Sequence, residues 1–428
     1  MSTGRRLRVG GIYYGWVLVA GLGVTTIVSY GTTQYFFGVI LVPIQHELGW
    51  SRAALSGAYS LAFLVAGVLG LPLGGLIDRR GARLLMSAGS VLGAICLALL
   101  ARVTELWQFY VLWAGGVGLT MALTLYPVSF VVITNWFHRR RGSALAALTL
   151  CGGLSSPIYV PIAGLLVART GWRETMVLFA ITQVAVALPI HALLLRRHPE
   201  DIGLLPDGDT VARGVPADDA RESGTSLPHA LRTLGFWTLT VSFGLGMFGQ
   251  SAVLAHQVAY MIGRGFDPIL SAGLAGLVGV ASLPGRLVFN LLSDRFGSQR
   301  LLAISTVTQA AGAVLLALAS SPPWLWAYVI VYGAAFGAVS PLRASTMADQ
   351  FGRRSYGAIT AAAGRPIAVL GAAGPLTAGV LFDRLGGYSV ALWVVVGAFV
   401  LSGLAVLITP PAPRGPRPSG PELPPAGP

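Results

Sequence analysis

The chain has 428 residues, of which 54% are hydrophobic and 11% charged, with a formal net charge of +13. A soluble domain is typically about 25% charged, so the composition and a mean hydropathy of +0.71 exclude a water-soluble protein and indicate a membrane one. All 29 basic residues are arginines, and they cluster between apolar runs, a pattern that belongs to membrane loops and not to a nucleic-acid groove.

A helix needs about 20 apolar residues to cross a bilayer core of about 30 Å. That rule predicts an all-α membrane protein with twelve spans, at 12–38, 52–77, 84–103, 106–135, 142–168, 174–196, 234–262, 269–293, 300–319, 323–348, 355–382 and 389–408. The opening MSTGRRLRVG precedes an apolar run too long for a signal peptide and reads as a cytoplasmic lead into the first span. That span carries SYGTTQYFFG, where Tyr30 and Gln34 are candidate substrate contacts. Helix packing is the competing role for aromatics at such spacing. Cys96 and Cys151 lie inside apolar runs, without a disulfide framework or metal-ligand spacing, and are expected to be small packing residues. No cofactor or metal is expected.

In the fourth span Tyr126 stands beside Pro127 as a further candidate contact, and His191 near the end of the sixth reads as interfacial. Residues 197–233 are the only long polar segment and hold seven of the sixteen acids. They are expected to form a flexible cytoplasmic link between six-helix halves at 1–196 and 234–409. In the seventh span His256 lies about six residues from the outer end; it either handles protons or packs helices through hydrogen bonds. The Pro-rich tail, 410–428, is expected to be disordered.

Three spans of the second half hold an arginine away from their ends. Arg286 lies eight residues before Asp294, hence about 12 Å inside the boundary, and Arg365 lies ten residues after Ser355, about 15 Å inside. Each costs about 2.5–3.5 kcal/mol on insertion scales. Every acid lies in a loop, at a helix end or in the tail, so neither arginine has an internal counter-ion in view. Guanidinium presents a planar fork that fits a carboxylate. Arg286 and Arg365 are therefore expected to bind an organic anion, the alternative being that they bond backbone carbonyls of broken helices. Arg343, six residues before Asp349 and about 9 Å deep, is expected to be a gating or structural residue.

Loop charges set the orientation. One side collects Arg5, Arg6, Arg8, Arg79, Arg80, Arg83, Arg139, Arg140, Arg141, Arg196, Arg197, Arg295, Arg300, Arg353 and Arg354, and the other side is poorer. The positive-inside rule then places both termini and the middle loop in the cytoplasm, in a plasma (bacterial inner) membrane. The halves also resemble each other. GLIDRRGARLL answers to NLLSDRFGSQRLL, which sets Asp78 opposite Asp294, and Pro127, Phe137 and Arg139 fall 214 residues before Pro341, Phe351 and Arg353. Such duplication is the architecture of secondary transporters.

On these motifs the chain resembles the major facilitator superfamily, whose Asp-Arg-x-Gly loops follow helices 2 and 8. NWFHRRRGSALAALTLCGG, RHPEDIGLLPDGD and PGRLVFNLLSDRFG are similar to segments of its oxalate/formate-antiporter and monocarboxylate-transporter branch. The resemblance implies two pseudo-symmetric six-helix bundles, a substrate-binding role for Arg286, and a tyrosine-bearing region at Tyr126. It also implies a helix-11 cation near Arg365. The monocarboxylate members pair the helix-8 arginine with an aspartate one turn earlier, where this chain has Ser282.

The expected function is secondary active transport of a small organic carboxylate, mono- or dicarboxylate, by alternating access, through anion exchange or proton symport. Asp78, Arg79, Arg83, Asp294, Arg295 and Arg300 are expected to latch the halves on the cytoplasmic side. An efflux transporter for amphipathic or drug-like compounds, and a non-transporting receptor on the same scaffold, are the alternatives. The expected partners are the carboxylate, protons and the bilayer, with no nucleic acid, and the chain is expected to act as a monomer. No phosphate loop, metal cluster or nucleophile-base pair points to an enzyme.

Overall fold

The computed structural model describes residues 8–9, 12–209, 225–352 and 355–410; side chains at 8, 9, 12, 70–75, 78–80, 290, 291 and 294 lie outside that description as well. A two-residue antiparallel ribbon, β1 (Arg8–Val9) with β2 (Ile12–Tyr13), leads into α1 (Tyr14–Leu48). The first half continues with α2 (Arg52–Arg80), α3 (Ala82–Leu100), α4 (Leu106–Trp136), α5 (141–170) and α6 (172–194). The second half contains α7 (Leu234–Gly263), α8 (Pro268–Phe296), α9 (Ser298–Ala317), α10 (Pro322–Phe351), α11 (Tyr356–Leu385) and α12 (Ser389–Leu407).

Eleven helical stretches among the described residues are long and apolar enough to cross a membrane. The longest, Arg141–Leu194, counts twice, because Gly171 at φ 86° and ψ 167° breaks it into α5 and α6. The protein is therefore an all-α integral membrane protein with twelve helices in two six-helix bundles. The first helix runs ten residues past its expected end at 38. Pro43 sits inside it, and the run as far as Leu48 is still mostly apolar.

Side chains start several helices. Ser51 Oγ accepts from Ala54 N, Thr233 Oγ1 from Phe236 N, and Asp267 Oδ1 from Leu270 N, each taking up a backbone donor that the first helical turn leaves free. Gly81 (φ 77°, ψ 157°) and Gly297 (φ 84°, ψ 139°) make the turns from α2 to α3 and from α8 to α9. Both occupy a region nearly closed to residues with a Cβ. They are 216 residues apart, so the repeat seen in sequence recurs in the backbone.

The two halves meet along seams of small residues. Gly164 faces Ala272, while Gly276 and Gly279 lie against Pro161 and Pro157, which joins α5 to α8. Gly57 lies close to Leu376 and Gly379 to Ala53, which joins α2 to α11, and Gly38 lies on the Leu254 and Ala255 carbonyls of α7. Lipid provides no hydrophobic drive between helices, so close backbone approach of this kind is what holds such seams.

The middle loop differs from expectation. Its first part, 197–209, is folded against the first half: three backbone N–H groups, of His138, Arg139 and Arg140, donate to the Asp207 carboxylate, and Tyr13 donates to the Leu205 carbonyl. Arg139 pairs with Asp209. Acids that composition assigns to a solvated link are here the acceptors for the turn between α4 and α5. The Pro-rich tail from 411 and residues 210–224 lie outside the described residues.

Candidate functional site

Arg286 is half-buried on α8, and the residue before it fixes where it points. A Cβ on Gly285 would stand 2.0 Å from the Ala334 carbonyl oxygen of α10, and one on Gly337 would stand 2.0 Å from the Ser282 carbonyl oxygen of α8. With the Gly285 face pressed on α10, the next side chain is turned about 100° away along the helix. It crosses to the other half, where its Nη1 donates to the Thr149 carbonyl of α5 at 2.6 Å.

The surroundings of the guanidinium come from two interrupted helices. In α1, residues Gly31–Tyr35 form a π turn, which shifts the helical register so that Tyr30 and Tyr35 lie on one side, ring centroids 6.4 Å apart. In α4, Leu125 is extended (φ −85°, ψ −176°), and a new helical segment starts at Tyr126–Pro127. Tyr126 stacks on Phe130, lies 4.9 Å from Tyr30, and donates to the same Thr149 carbonyl at 3.3 Å.

Among the described residues no carboxylate pairs with the Arg286 guanidinium. Among the described residues the ion pairs are Arg139–Asp209 and Arg173–Glu47, both near helix ends. One arm of Arg286 is bonded to a carbonyl, as the backbone-bonding alternative expected, but its Nε is buried without a partner. Guanidinium has five N–H donors, and a buried one left unmade is expensive.

Beyond this cluster, toward the end of the bundle that carries Trp50 and Trp324, lies a small cavity. Its wall includes Tyr35, Ser156, Gln250, Gln257, Tyr332 and Phe336. Gln250 donates to Gln309, and Tyr328 donates to Gln257, so both cavity amides are fixed from behind. The Tyr332 hydroxyl is buried and has no partner.

Of the expected site residues, the structure brings together Arg286, Tyr126 and Tyr30. Gln34 is half-buried, and its carbonyl accepts from Tyr59. Its neighbour Tyr35 lines the cavity, which sequence reasoning passed over; the polar stretch was visible, but the π turn that selects Tyr35 was not. His256 is elsewhere. Its Nδ1 meets the Tyr388 hydroxyl at 2.8 Å, and its Nε2 meets Ser56 Oγ at 3.2 Å and the Pro375 carbonyl at 2.9 Å. On α7 the cavity face is Gln250, Val253, Leu254 and Gln257, and His256 is turned off that stripe. Arg365 is exposed on α11, which packs on α2, whereas α8 packs on α5. No described contact joins Arg365 to Arg286.

The expected gating residues lie toward the arginine-rich face. Side chains of Asp78, Arg79 and Asp294 are outside the described residues. Arg83, Arg295 and Arg300 are exposed, with Arg295 over the ring of adjacent Phe296, and Arg343 lies over Phe243 of its own half at 4.9 Å.

At the opposite face the halves are pinned by groups the sequence reading did not single out. Both Asp383 oxygens accept backbone N–H groups at the start of α2, from Arg52 at 3.2 Å and Ala53 at 2.7 Å. The Arg52 side chain is buried; its guanidinium lies 3.6 Å from the Phe382 ring centroid and 4.9 Å from that of Tyr388, and its Nε donates to Gln45. A carboxylate on a helix N-terminus and a cation on aromatic faces thus act across the same seam.

Comparison with known proteins shows the family and the fold. The sequence profile described as Major Facilitator Superfamily matches residues 22–372. Monocarboxylate transporter 13 of Bos taurus is 27% identical over 401 residues, covering 93% of this chain and 89% of that protein. An uncharacterized MFS-type transporter of Bacillus subtilis, YcxA, is 22% identical over 418 residues, covering 95% and 96%. Among solved structures, the nucleoside transporter NupG in a mutant form superposes with a TM-score of 0.69 at 15% identity, covering 92% of this chain and 99% of that one. A bacterial homologue of the human lysosomal transporter Spinster, inward-facing and occupied, gives 0.67 at 16% identity, covering 92% and 96%. At such identities the two superpositions establish the fold alone.

Proposed function

The chain belongs to the Major Facilitator Superfamily, and on that premise we propose that it transports a small organic carboxylate by alternating access, with Arg286 as the anion-binding group. The observation that carries this reading is the Arg286 guanidinium: it sits where the halves meet, has no acidic partner among the described residues, and keeps a buried Nε without an acceptor. A carboxylate entering beside it supplies both the missing charge and the missing acceptor, in a fork-to-fork geometry that a neutral solute cannot match. Tyr30 and Tyr126 flank the same point and orient the anion. The monocarboxylate transporter among the relatives supports the substrate class.

Rocking of the two bundles about this site is the transport step. With the arginine-rich face in the cytoplasm, the Arg52–Asp383 seam closes the outer side. His256, held in that outer seam and away from Arg286, is a seam residue in this reading and not a substrate ligand. Arg365, exposed and apart from Arg286, attracts anions on their way to the site.

The test is counterflow in proteoliposomes with a panel of mono- and dicarboxylates, comparing the wild-type chain with Arg286→Gln and Arg365→Gln. Loss of a charge-assisted hydrogen bond of about 1.5–3 kcal/mol predicts roughly 10- to 100-fold weaker carboxylate handling in Arg286→Gln. A smaller loss that shrinks in high salt is predicted for Arg365→Gln. Carboxylate exchange unchanged in Arg286→Gln would sink the assignment. An efflux role for amphipathic compounds draws on the mostly apolar, aromatic cavity wall; it predicts altered drug susceptibility on expression and no dependence on Arg286.

A further inference from the structure

His256 is a buried junction between the two halves, on α7. Its Nε2 stands 2.9 Å from the Pro375 carbonyl of α11 and 3.2 Å from Ser56 Oγ of α2, and its Nδ1 stands 2.8 Å from the Tyr388 hydroxyl at the start of α12. Ser56 belongs to the first half and the other three residues to the second. A carbonyl can only accept, so Nε2 carries the ring hydrogen, and Nδ1 is left to accept from Tyr388. The neutral ring thus uses both of its nitrogens. One turn along α2 from Ser56, Ser60 Oγ accepts the Leu376 N–H at 3.1 Å. The Pro375–Leu376 peptide link is therefore held at its carbonyl by His256 and at its N–H by the opposite half.

A proton on Nδ1 breaks this arrangement. The new N–H and the Tyr388 O–H then point at each other, and the tyrosine has to turn its hydrogen away. The added charge also meets unfavourable surroundings. From α2, the Arg52 guanidinium lies 4.9 Å from the centroid of the same Tyr388 ring. The acid on this seam is Asp383 of α11, and both its oxygens already accept the backbone N–H groups of Arg52 and Ala53. One turn along α7, Tyr260 donates to the Ala317 carbonyl. From α9 and α12, Leu316, Leu392 and Val395 share a small apolar cavity with the imidazole. A charge without a free partner is expensive in such a place. We propose that His256 is a proton-binding site that governs the seam: neutral, it ties the halves together; protonated, it releases Ser56 and Tyr388, and the halves part at that face. The proposal rests on the alternating-access reading given above, in which this face is the outer one, and it names an acidic outer solution as the signal that opens it.

An exposed histidine titrates near about pH 6.5. Proton uptake by the open form and not by the closed one raises the open-to-closed ratio about tenfold between about pH 7.5 and about pH 5.5. The experiment uses the full-length chain in lipid nanodiscs, with spin labels at the adjoining ends of α2 and α11 and distances read by pulsed electron resonance at those two pH values. It is run on the wild type and on Asp383→Asn, in which the open share is expected to be larger. In Asp383→Asn the ratio of long to short distances should rise about tenfold on acidification. Adding His256→Gln, whose amide can still donate to the Pro375 carbonyl but does not titrate, should make the distribution the same at both pH values. Tyr388→Phe, which keeps the histidine and removes its hydroxyl partner, should be more open at the higher pH and still respond to acid. A role in packing alone would shift the distribution in each variant without removing the pH response. A response that survives His256→Gln overturns the proposal. So does a distribution indifferent to pH in a chain that Asp383→Asn has opened, a result that needs no histidine variant to fold and leaves the seam itself as a gate. Distances that change neither with pH nor in Asp383→Asn overturn the gating role of the seam and the proton site together.

Discussion

Arg286 carries the proposed anion site because of what surrounds one side chain. An arginine and a lysine deliver the same charge, but only the guanidinium can hold the Thr149 carbonyl with one arm and offer a planar pair of donors to an anion. Arg286→Lys is therefore expected to keep part of the anion affinity of the wild type and to lose its selectivity among carboxylates of different shape, measured by competition in counterflow. A second residue acts at the aqueous boundary. Burial alone would raise the Asp207 carboxyl, but backbone N–H groups of Arg139, Arg140 and His138 outweigh it and hold the group below its ordinary value of 3.8. A carboxyl lowered on folding stabilises the fold above its unfolded pKa, and that contribution disappears as pH falls through the folded value. Asp207→Asn should thus lower the melting temperature near pH 7, and the gap from the wild type should close as the pH falls below about 4. A gap that stays constant over that range would remove the charge from the account.

At the scale of elements, the site exists because several helices are not regular. The π turn at Gly31–Tyr35 and the break at Leu125 each turn a tyrosine toward Arg286, and membrane proteins place such irregular backbone where it lines a cavity. Pro375 illustrates how the freed groups are satisfied. It cannot donate to the Gly371 carbonyl, and Ser251 on α7 donates there instead at 2.6 Å. The α8–α10 crossing is the tightest of these arrangements. In Gly285→Ala the new Cβ would press on the Ala334 carbonyl and push α8 away, at about 1–3 kcal/mol for overpacking. Lower thermal stability and weaker carboxylate binding should appear together, whereas substitution at Gly263, which has open space around it, should change neither.

For the whole molecule, the proposed alternating-access cycle makes the seam between Asp383 and the start of α2 the contact expected to bias which way the transporter faces. Those contacts can persist only while the two halves are together at that end. Removing the carboxylate from the helix terminus forfeits about 1–2 kcal/mol, which is a shift of roughly 5- to 30-fold between conformations. In Asp383→Asn, spin labels at the adjoining ends of α2 and α11 should report a larger share of long distances than in the wild type. An unchanged distance distribution would leave the seam as packing and nothing more. The Arg52 cation on Phe382 and Tyr388 acts in the same direction, so Asp383→Asn combined with Arg52→Ala is expected to open that face further than either change alone.

The sequence by itself determined the twelve spans and the duplicated halves, and set Arg286 well inside one span. Each follows from a local property: apolar length against bilayer thickness, recurrence at a fixed offset, and the distance from a charged boundary along a helix. Tyr126 and Tyr30 were legible as polar aromatics within apolar runs. The sequence could not say that Tyr35 faces the cavity beside Gln34, that His256 turns from Gln257 into the seam, or that Arg365 lies apart from Arg286. Those outcomes depend on rotation about a helix axis, which a π turn or an extended residue resets and which near-uniform hydrophobicity around a membrane helix does not encode. Asp383 and Tyr332 became visible for the same reason only when the halves were packed: one finds its partners 330 residues away in the other bundle, and the other is notable for a hydrogen bond that the folded chain leaves unmade.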